Sequence, residues 1–348
     1  MQDPQISFSF LFFSDVHTHR SDKQKYDFMR DITLFADREG FEAVYFPERH
    51  FHEFGSIYPN PAIIASWLIP QTTRIRFRTA GVSMPLHHPA EVAEWWAVND
   101  VLSQGRVDLG FGSGWHKEDF ILDPETYHNR KEALGGMIEK VKKLWRGELI
   151  SFPGPDNELM SIRIYPRPIQ KELNVWLLVT QNDEAFRFAG EAGYNVFTML
   201  YGYGFDELTN KIAIYRDARK KAGLDPRKGT VTLMLHTLVL EDSALVKKAV
   251  EVPFKEYIRV SLEAHLRDKF TEADKKNILE YSFQRYYKTC ALFGSEEECH
   301  AVINTATSAG VNEIACLVDF GVDYDTVKSS LPILKRVVAY YQKKTCTV

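Results

Sequence analysis

The chain predicts one (β/α)8 TIM barrel, an α/β fold with insertions after its fourth and seventh strands. Three observations carry that prediction. Short apolar runs alternate with amphipathic stretches along nearly all 348 residues, the mark of strands joined by helical crossovers. Eight such runs occur, the number that closes a parallel sheet into a barrel. No low-complexity linker divides them, so residues 1–348 read as one domain.

The elements follow in order. Ile6–Phe13 is bulky and aromatic, a buried strand. Tyr26–Glu39 is helical: Phe28, Ile32, Phe35 and Ala36 share one face, and Gly40 supplies the stop. Ala43–Phe46 is the second strand, and Pro61–Ile69 a helix opened by proline, whose missing N–H costs nothing in a first turn. Ile75–Val82 is the third strand, answered by a helix over Pro89–Ser103 that Gly105 closes. Val107–Phe111 is the fourth; after a long loop, Lys131–Trp145 forms its helix. Residues 146–174 are rich in Pro and Gly and predict a surface excursion with a short hairpin. Val175–Val179 is the fifth strand, with a helix over Asp183–Ala192 stopped by Gly193. Asn195–Met199 is the sixth, followed by a long helix over Phe205–Ala222, and Val231–Leu240 is the seventh. Ser295 and Glu298 spell a capping box for a helix running to Ala309. Glu313–Val318 is the eighth strand, and a last helix covers Tyr324–Gln342.

Residues 251–288 separate the seventh strand from the capped helix. They hold the charged run HLRDKFTEADKKN and the aromatic stretch YSFQRYY. An insertion after a barrel strand lies on the catalytic face, so this segment reads as a lid over a pocket, or else as a solvated helical hairpin.

Composition narrows the function classes. Net charge is -4 and the basic residues are spread along the chain, which argues against a nucleic-acid partner. No apolar stretch approaches the roughly 20 residues of a membrane span. MQDPQISFSFLFF lacks a basic segment before its apolar run and reads as a first strand, not a leader. Cys290, Cys299, Cys316 and Cys346 show no CxxC spacing, so reduced thiols in a cytoplasmic protein are expected.

In a barrel, residues just past the C-terminal ends of strands face the site. After the second strand come Glu48, Arg49, His50 and His52, dense for a structural turn. His50 suits acid–base work near neutral pH, with Glu48 and Arg49 to orient it. After the third, small residues including Ala80 and Gly81 precede the pair His87-His88. The fourth runs into GRVDLGFGSGWH, where Gly110, Gly112 and Gly114 alternate and let a flat cofactor or a phosphate approach the backbone. That pattern is not GxGxxG, so a dinucleotide fingerprint fails on spacing. Thr180, Gln181 and Asn182 open a helix, whose N-terminus suits a phosphate, with Asp183 as its cap; Thr198 is a polar group at the sixth strand's end. No histidine spacing is specific for a metal, and no GxSxG elbow or ordered Ser-His-Asp set supports hydrolysis.

Several segments together carry a resemblance. PERHFHEFG (47–55), RIRFRTAGVSMPLHHP (74–89), GRVDLGFGSGWHKEDF (105–120), VTQNDEAFRFAGEAGYNVFT (179–198) and VNEIACLVDFG (311–321) recur in order at the expected strand ends. The chain resembles the luciferase-like flavin monooxygenases, and most nearly their natural-product biosynthesis branch. The resemblance implies reduced FMN and O2 as cofactor and oxidant, with the flavin ring at the barrel mouth. Ala80 and Gly81 would back the ring, where relatives carry a non-proline cis peptide. Gly112 stands where light-emitting relatives have a reactive cysteine, and Ser113 where they place an arginine on the FMN phosphate, which leaves more of that contact to Thr180, Gln181 and Asn182. Arg49 replaces a histidine usually treated as catalytic, while His50 keeps its neighbour.

The implied chemistry is oxygen insertion through a flavin hydroperoxide, with His50 as acid–base and Arg49 stabilising the peroxide oxygens; His88 and Trp115 would wall the cavity. A substrate that is a small molecule or is bound to a carrier protein, a separate flavin reductase and a homodimer are further implications. A deazaflavin-dependent dehydrogenase on the same barrel and a non-catalytic flavin-binding protein are the alternatives.

Overall fold

The computed structural model describes residues 6–14, 20–54, 57–265 and 272–345. Eight parallel strands close on themselves: β1 (Ser7–Leu11), β2 (Ala43–Phe46), β3 (Arg76–Thr79), β4 (Val107–Gly112), β5 (Val175–Leu178), β6 (Asn195–Met199), β7 (Val231–Val239) and β8 (Glu313–Leu317). Each pairs with the next, and β8 pairs with β1 in the register Ser7↔Glu313 to Leu11↔Leu317. The chain is the expected (β/α)8 barrel, and its strands are buried on both faces because helices surround the closed sheet.

The lower half of the barrel interior is polar, which no apolar run announces. Arg78 donates to Asp108 at 2.8 Å and to both oxygens of Glu313 at 2.7 and 2.9 Å, while its guanidinium lies 4.3 Å from the Trp176 ring centroid. Tyr45 and Thr232 donate to Glu313, and Ser9 does too. Arg78 is thereby paired on both sides, the condition under which a buried charge is tolerated.

The helices are bounded largely as their residues dictate. Gly40 ends helix Asp22–Glu39 at φ 86°, in the left-handed region glycine adopts without strain. That helix starts earlier than its apolar face suggests, at a Ser21/Gln24 capping box. The Ser295/Glu298 box is present as read. Residues 146–174 do hold a hairpin, Ile150–Pro153 against Leu159–Ile162.

Two readings need correction. The insertion after β7 is longer than 251–288: helices Ser243–His265 and Glu272–Thr289 form a hairpin, packed together through Phe254 on Phe283 and the Lys255–Glu280 ion pair. Its described part is no solvated appendage, since Val246, Val250, Phe254 and Phe283 are fully buried. Part of the charged run, residues 266–271, lies outside the described residues. Second, a short strand, Ala291–Gly294, follows that hairpin and pairs with the end of β7. Four buried residues without alternation give no strand signal of their own.

Candidate active site

The C-terminal ends of the strands surround a cavity of about 600 Å³. Glu48 and Arg49 enter it after β2, Ala80, Gly81 and Ser83 after β3, Ser113 and Trp115 after β4, and Thr180 after β5. β7 contributes Met234 and His236, and the helical hairpin covers it with Phe254, Tyr257, Arg285 and Tyr286. The hairpin therefore lies over the pocket.

The glycines after β3 and β4 serve two purposes. A Cβ on Gly110 would sit 2.2 Å from the Thr79 carbonyl oxygen, and one on Gly81 would sit 2.7 Å from that of Gly110. These two glycines let the neighbouring strands approach each other, and Gly81 also lines the cavity. Of the three alternating glycines, Gly112 fits the ligand argument: a Cβ there would meet nothing nearer than Leu178 at 3.9 Å, and the residue lines the cavity. Gly114 adopts φ 88° and packs under Phe120. The Ala80–Gly81 peptide is cis, as the resemblance implied.

Glu48 is buried, and its carboxylate gathers two loops. His50 Nε2 lies 2.8 Å and His87 Nε2 2.6 Å from the same oxygen, Oε1, while the Ser83 amide donates to Oε2 at 3.0 Å. Burial alone would push the Glu48 carboxyl up; the hydrogen bonds from His50 and His87 outweigh it and hold it below the usual range. Burial likewise works against a charged His87, and the Glu48 carboxylate overcomes it, raising that imidazole. Glu48, His50 and His87 have the ligand types of a metal centre. Their separations are those of hydrogen bonds, shorter than the about 3.3 Å between two ligands of one tetrahedral zinc.

Arg49 stands beside this cluster and does not join it. Its guanidinium lies 3.9 Å from the Trp115 ring centroid, with Phe13 and Phe54 at 5.2 and 5.8 Å. Burial lowers it to about 10, so it remains a cation at neutral pH. Across the cavity, His236 is 4% exposed, and burial lowers it to about 3, leaving a neutral ring.

The structure brings together Glu48, Arg49, Ala80, Gly81, Gly112, Ser113, Trp115 and Thr180 on one cavity wall. It places the other candidates elsewhere. His50 reaches the cavity only through Glu48. His88 is not on the wall: with Pro89 next, it caps helix Pro89–Ser103 and packs on Phe152, and the neighbour that turns inward is His87. Asn182, not Asp183, caps helix Asp183–Glu191; Asp183 pairs with Lys211 at 2.8 Å. Gln181 donates to the Tyr201 carbonyl, and Thr198 is buried against Tyr203. Sequence reasoning missed His236, though a lone histidine near the end of an apolar strand was a signal; Tyr257 and Arg285, inside an insertion, gave none.

A parallel barrel with a polar-edged cavity at its C-terminal mouth has the layout in which α/β-barrel enzymes place their active sites. Residues 6–313 match the family described as luciferase-like monooxygenase, and the chain belongs to that family. The oxygenase component of a flavin-dependent trigonelline monooxygenase from Acinetobacter baylyi is 24% identical, over 92% of this chain and 91% of that protein. The crystal structure of the monooxygenase RslO1 from Streptomyces bottropensis superposes with a TM-score of 0.84 at 20% identity, covering 97% of this chain and all of that one. The oxygenating constituent of 3,6-diketocamphane monooxygenase from Pseudomonas putida, a type II Baeyer–Villiger enzyme in complex with FMN, gives 0.80 at 17% identity, covering 97% and 98%. Among the described residues no helix is long and apolar enough to cross a membrane.

Proposed function

We propose that this chain is a flavin-dependent monooxygenase that uses reduced FMN and O2 to oxygenate an organic substrate. The observation that carries the proposal is the cavity at the strand ends, lined by Ala80, by the bare backbone of Gly81 and Gly112, and by Glu48. The residues present fit a flavin: Gly112 leaves space for a flat ring, and the Ser113 and Thr180 hydroxyls and the Arg285 guanidinium line the same cavity for a phosphate. Reduced FMN, when bound, supplies the electrons with which dioxygen is activated for oxygen insertion.

The protein's own groups supply proton control and exclusion of water. Glu48, His50 and His87 meet at Glu48 Oε1, so a proton held on either imidazole is one hydrogen bond from the carboxylate at the cavity edge. Arg49 stays protonated and cannot act as a base; it gives the cavity positive charge. Phe254, Tyr257 and Tyr286 cover the cavity and keep water from it. A separate reductase supplies the reduced cofactor, and a natural-product intermediate, free or on a carrier protein, is the substrate class that the resemblance favours.

Equilibrium titration with FMN and with the deazaflavin F420 tests this assignment. FMN should bind at least about tenfold more tightly. Tight F420 binding with none for FMN would make the chain a deazaflavin-dependent dehydrogenase. Tight binding of oxidised FMN without oxygen consumption by the reduced form would make it a flavin-binding protein.

A further inference from the structure

The cavity lining carries polar groups that nothing among the described residues satisfies. Arg49 Nε and His236 Nε2 are both buried without a hydrogen-bond partner. Among the described residues, no carboxylate pairs with the Arg49 guanidinium. Glu48 is committed to His50, His87 and Ser83. Asp119 attracts Arg49 electrostatically, but it turns Oδ2 to the His116 amide and makes no ion pair with the guanidinium. A cation left this way is costly unless an anion meets it.

Aromatic rings join the two unsatisfied residues. Arg49 lies on Trp115, which neighbours Phe54 at 6.0 Å; Phe54 meets Tyr257 at 5.2 Å, and Tyr257 meets His236 at 5.0 Å. All of these residues line the cavity. A guanidinium stacked on a ring keeps its N–H groups in its own plane, free to take a carboxylate through two parallel hydrogen bonds. Flat walls with one cation at the end select a flat molecule with one anion at its end. Arg285 is tied to the Leu200 and Tyr203 carbonyls just past β6, across the barrel from β2, and is not part of this arrangement.

We propose that the substrate is a planar aromatic or conjugated compound bearing a carboxylate or phenolate, anchored by Arg49 and hydrogen-bonded by His236. This assignment rests on the monooxygenase reading and names the substrate class for that site. Bound this way, the anion fixes which edge of the ring faces the oxygen-activating cofactor.

The test is calorimetric binding, to the full chain with FMN present, of a panel of acids: benzoate, naphthalene-2-carboxylate and cinnamate. Each is compared with its own amide and with benzylammonium. At least one acid should bind about tenfold or more tightly than its amide, with the ammonium weakest. Arg49→Gln should erase that preference, and His236→Leu should weaken the acid severalfold. The proposal is overturned if no acid exceeds its amide in the wild-type protein, or if Arg49→Gln retains the preference. FMN affinity, read in the same samples from quenching of flavin fluorescence, separates the two levels. Loss of acid selectivity with FMN still bound removes this substrate class alone, whereas absence of FMN binding removes the monooxygenase reading.

Discussion

His87 Nε2 lies 2.6 Å from Glu48 Oε1, although the two residues come from loops after different strands. With His50 at 2.8 Å from the same oxygen, a carboxylate at the cavity edge is joined to two imidazoles behind it. The contact binds two loops at the barrel mouth together and links the cavity edge to two titratable rings. Both consequences can be measured.

The pair makes stability depend on pH in a defined direction. His87 is raised in the folded protein, so its contribution is complete below the unfolded value of about 6.5 and fades as pH rises through the folded one. Glu48 is lowered, so its contribution is present above about 4.3 and fades as pH falls. His87→Leu should therefore cost most near pH 6, about 1–3 kcal/mol, and clearly less at pH 9. Urea unfolding of both proteins at the two pH values checks this; equal costs would show that the contact is not ionic.

The two kinds of glycine separate stability from binding. Gly110→Ala forces a methyl against the Thr79 carbonyl and should destabilise by about 1–3 kcal/mol, seen as a lower Tm. Gly112→Ala meets only Leu178 at 3.9 Å and should leave Tm almost unchanged. It should weaken FMN binding about tenfold by narrowing the wall where the ring lies. A Gly112→Ala protein that binds FMN normally would remove that residue from the cofactor site.

The buried Arg78 holds Asp108 and Glu313 together below the site. Arg78→Met leaves Glu313 buried without its cation, and should cost about 3–5 kcal/mol in urea unfolding. Because Arg78 does not line the cavity, FMN affinity of the folded fraction should not change. A shift in FMN affinity would mean that the polar layer and the mouth are coupled.

Much of this architecture was legible because the eight strands are short apolar runs, each followed by an amphipathic helix. Strand-end position then pointed to Glu48, Arg49 and Gly112, and the family resemblance to Ser113. What stayed hidden depends on contacts across the barrel. Nothing local distinguishes His87, which turns to Glu48, from His88, which caps a helix. Gly110 resembles Gly112 until the Thr79 carbonyl is placed beside it. Arg78 and Glu313, distant in sequence, become partners only when β8 closes the sheet on β1. Tyr257 and Arg285 belong to the cavity because the helical hairpin folds back over the mouth.

The most direct test of the account is a rapid mix of the protein, loaded anaerobically with reduced FMN, against oxygenated buffer, followed by absorbance. The account predicts a species spectrally distinct from both reduced and oxidised flavin, outlasting the reoxidation of free flavin. In Glu48→Gln that species should decay faster, with release of hydrogen peroxide. Reoxidation of the wild-type complex at the free-flavin rate, with no such species in the absence or presence of the aromatic acids, would contradict it.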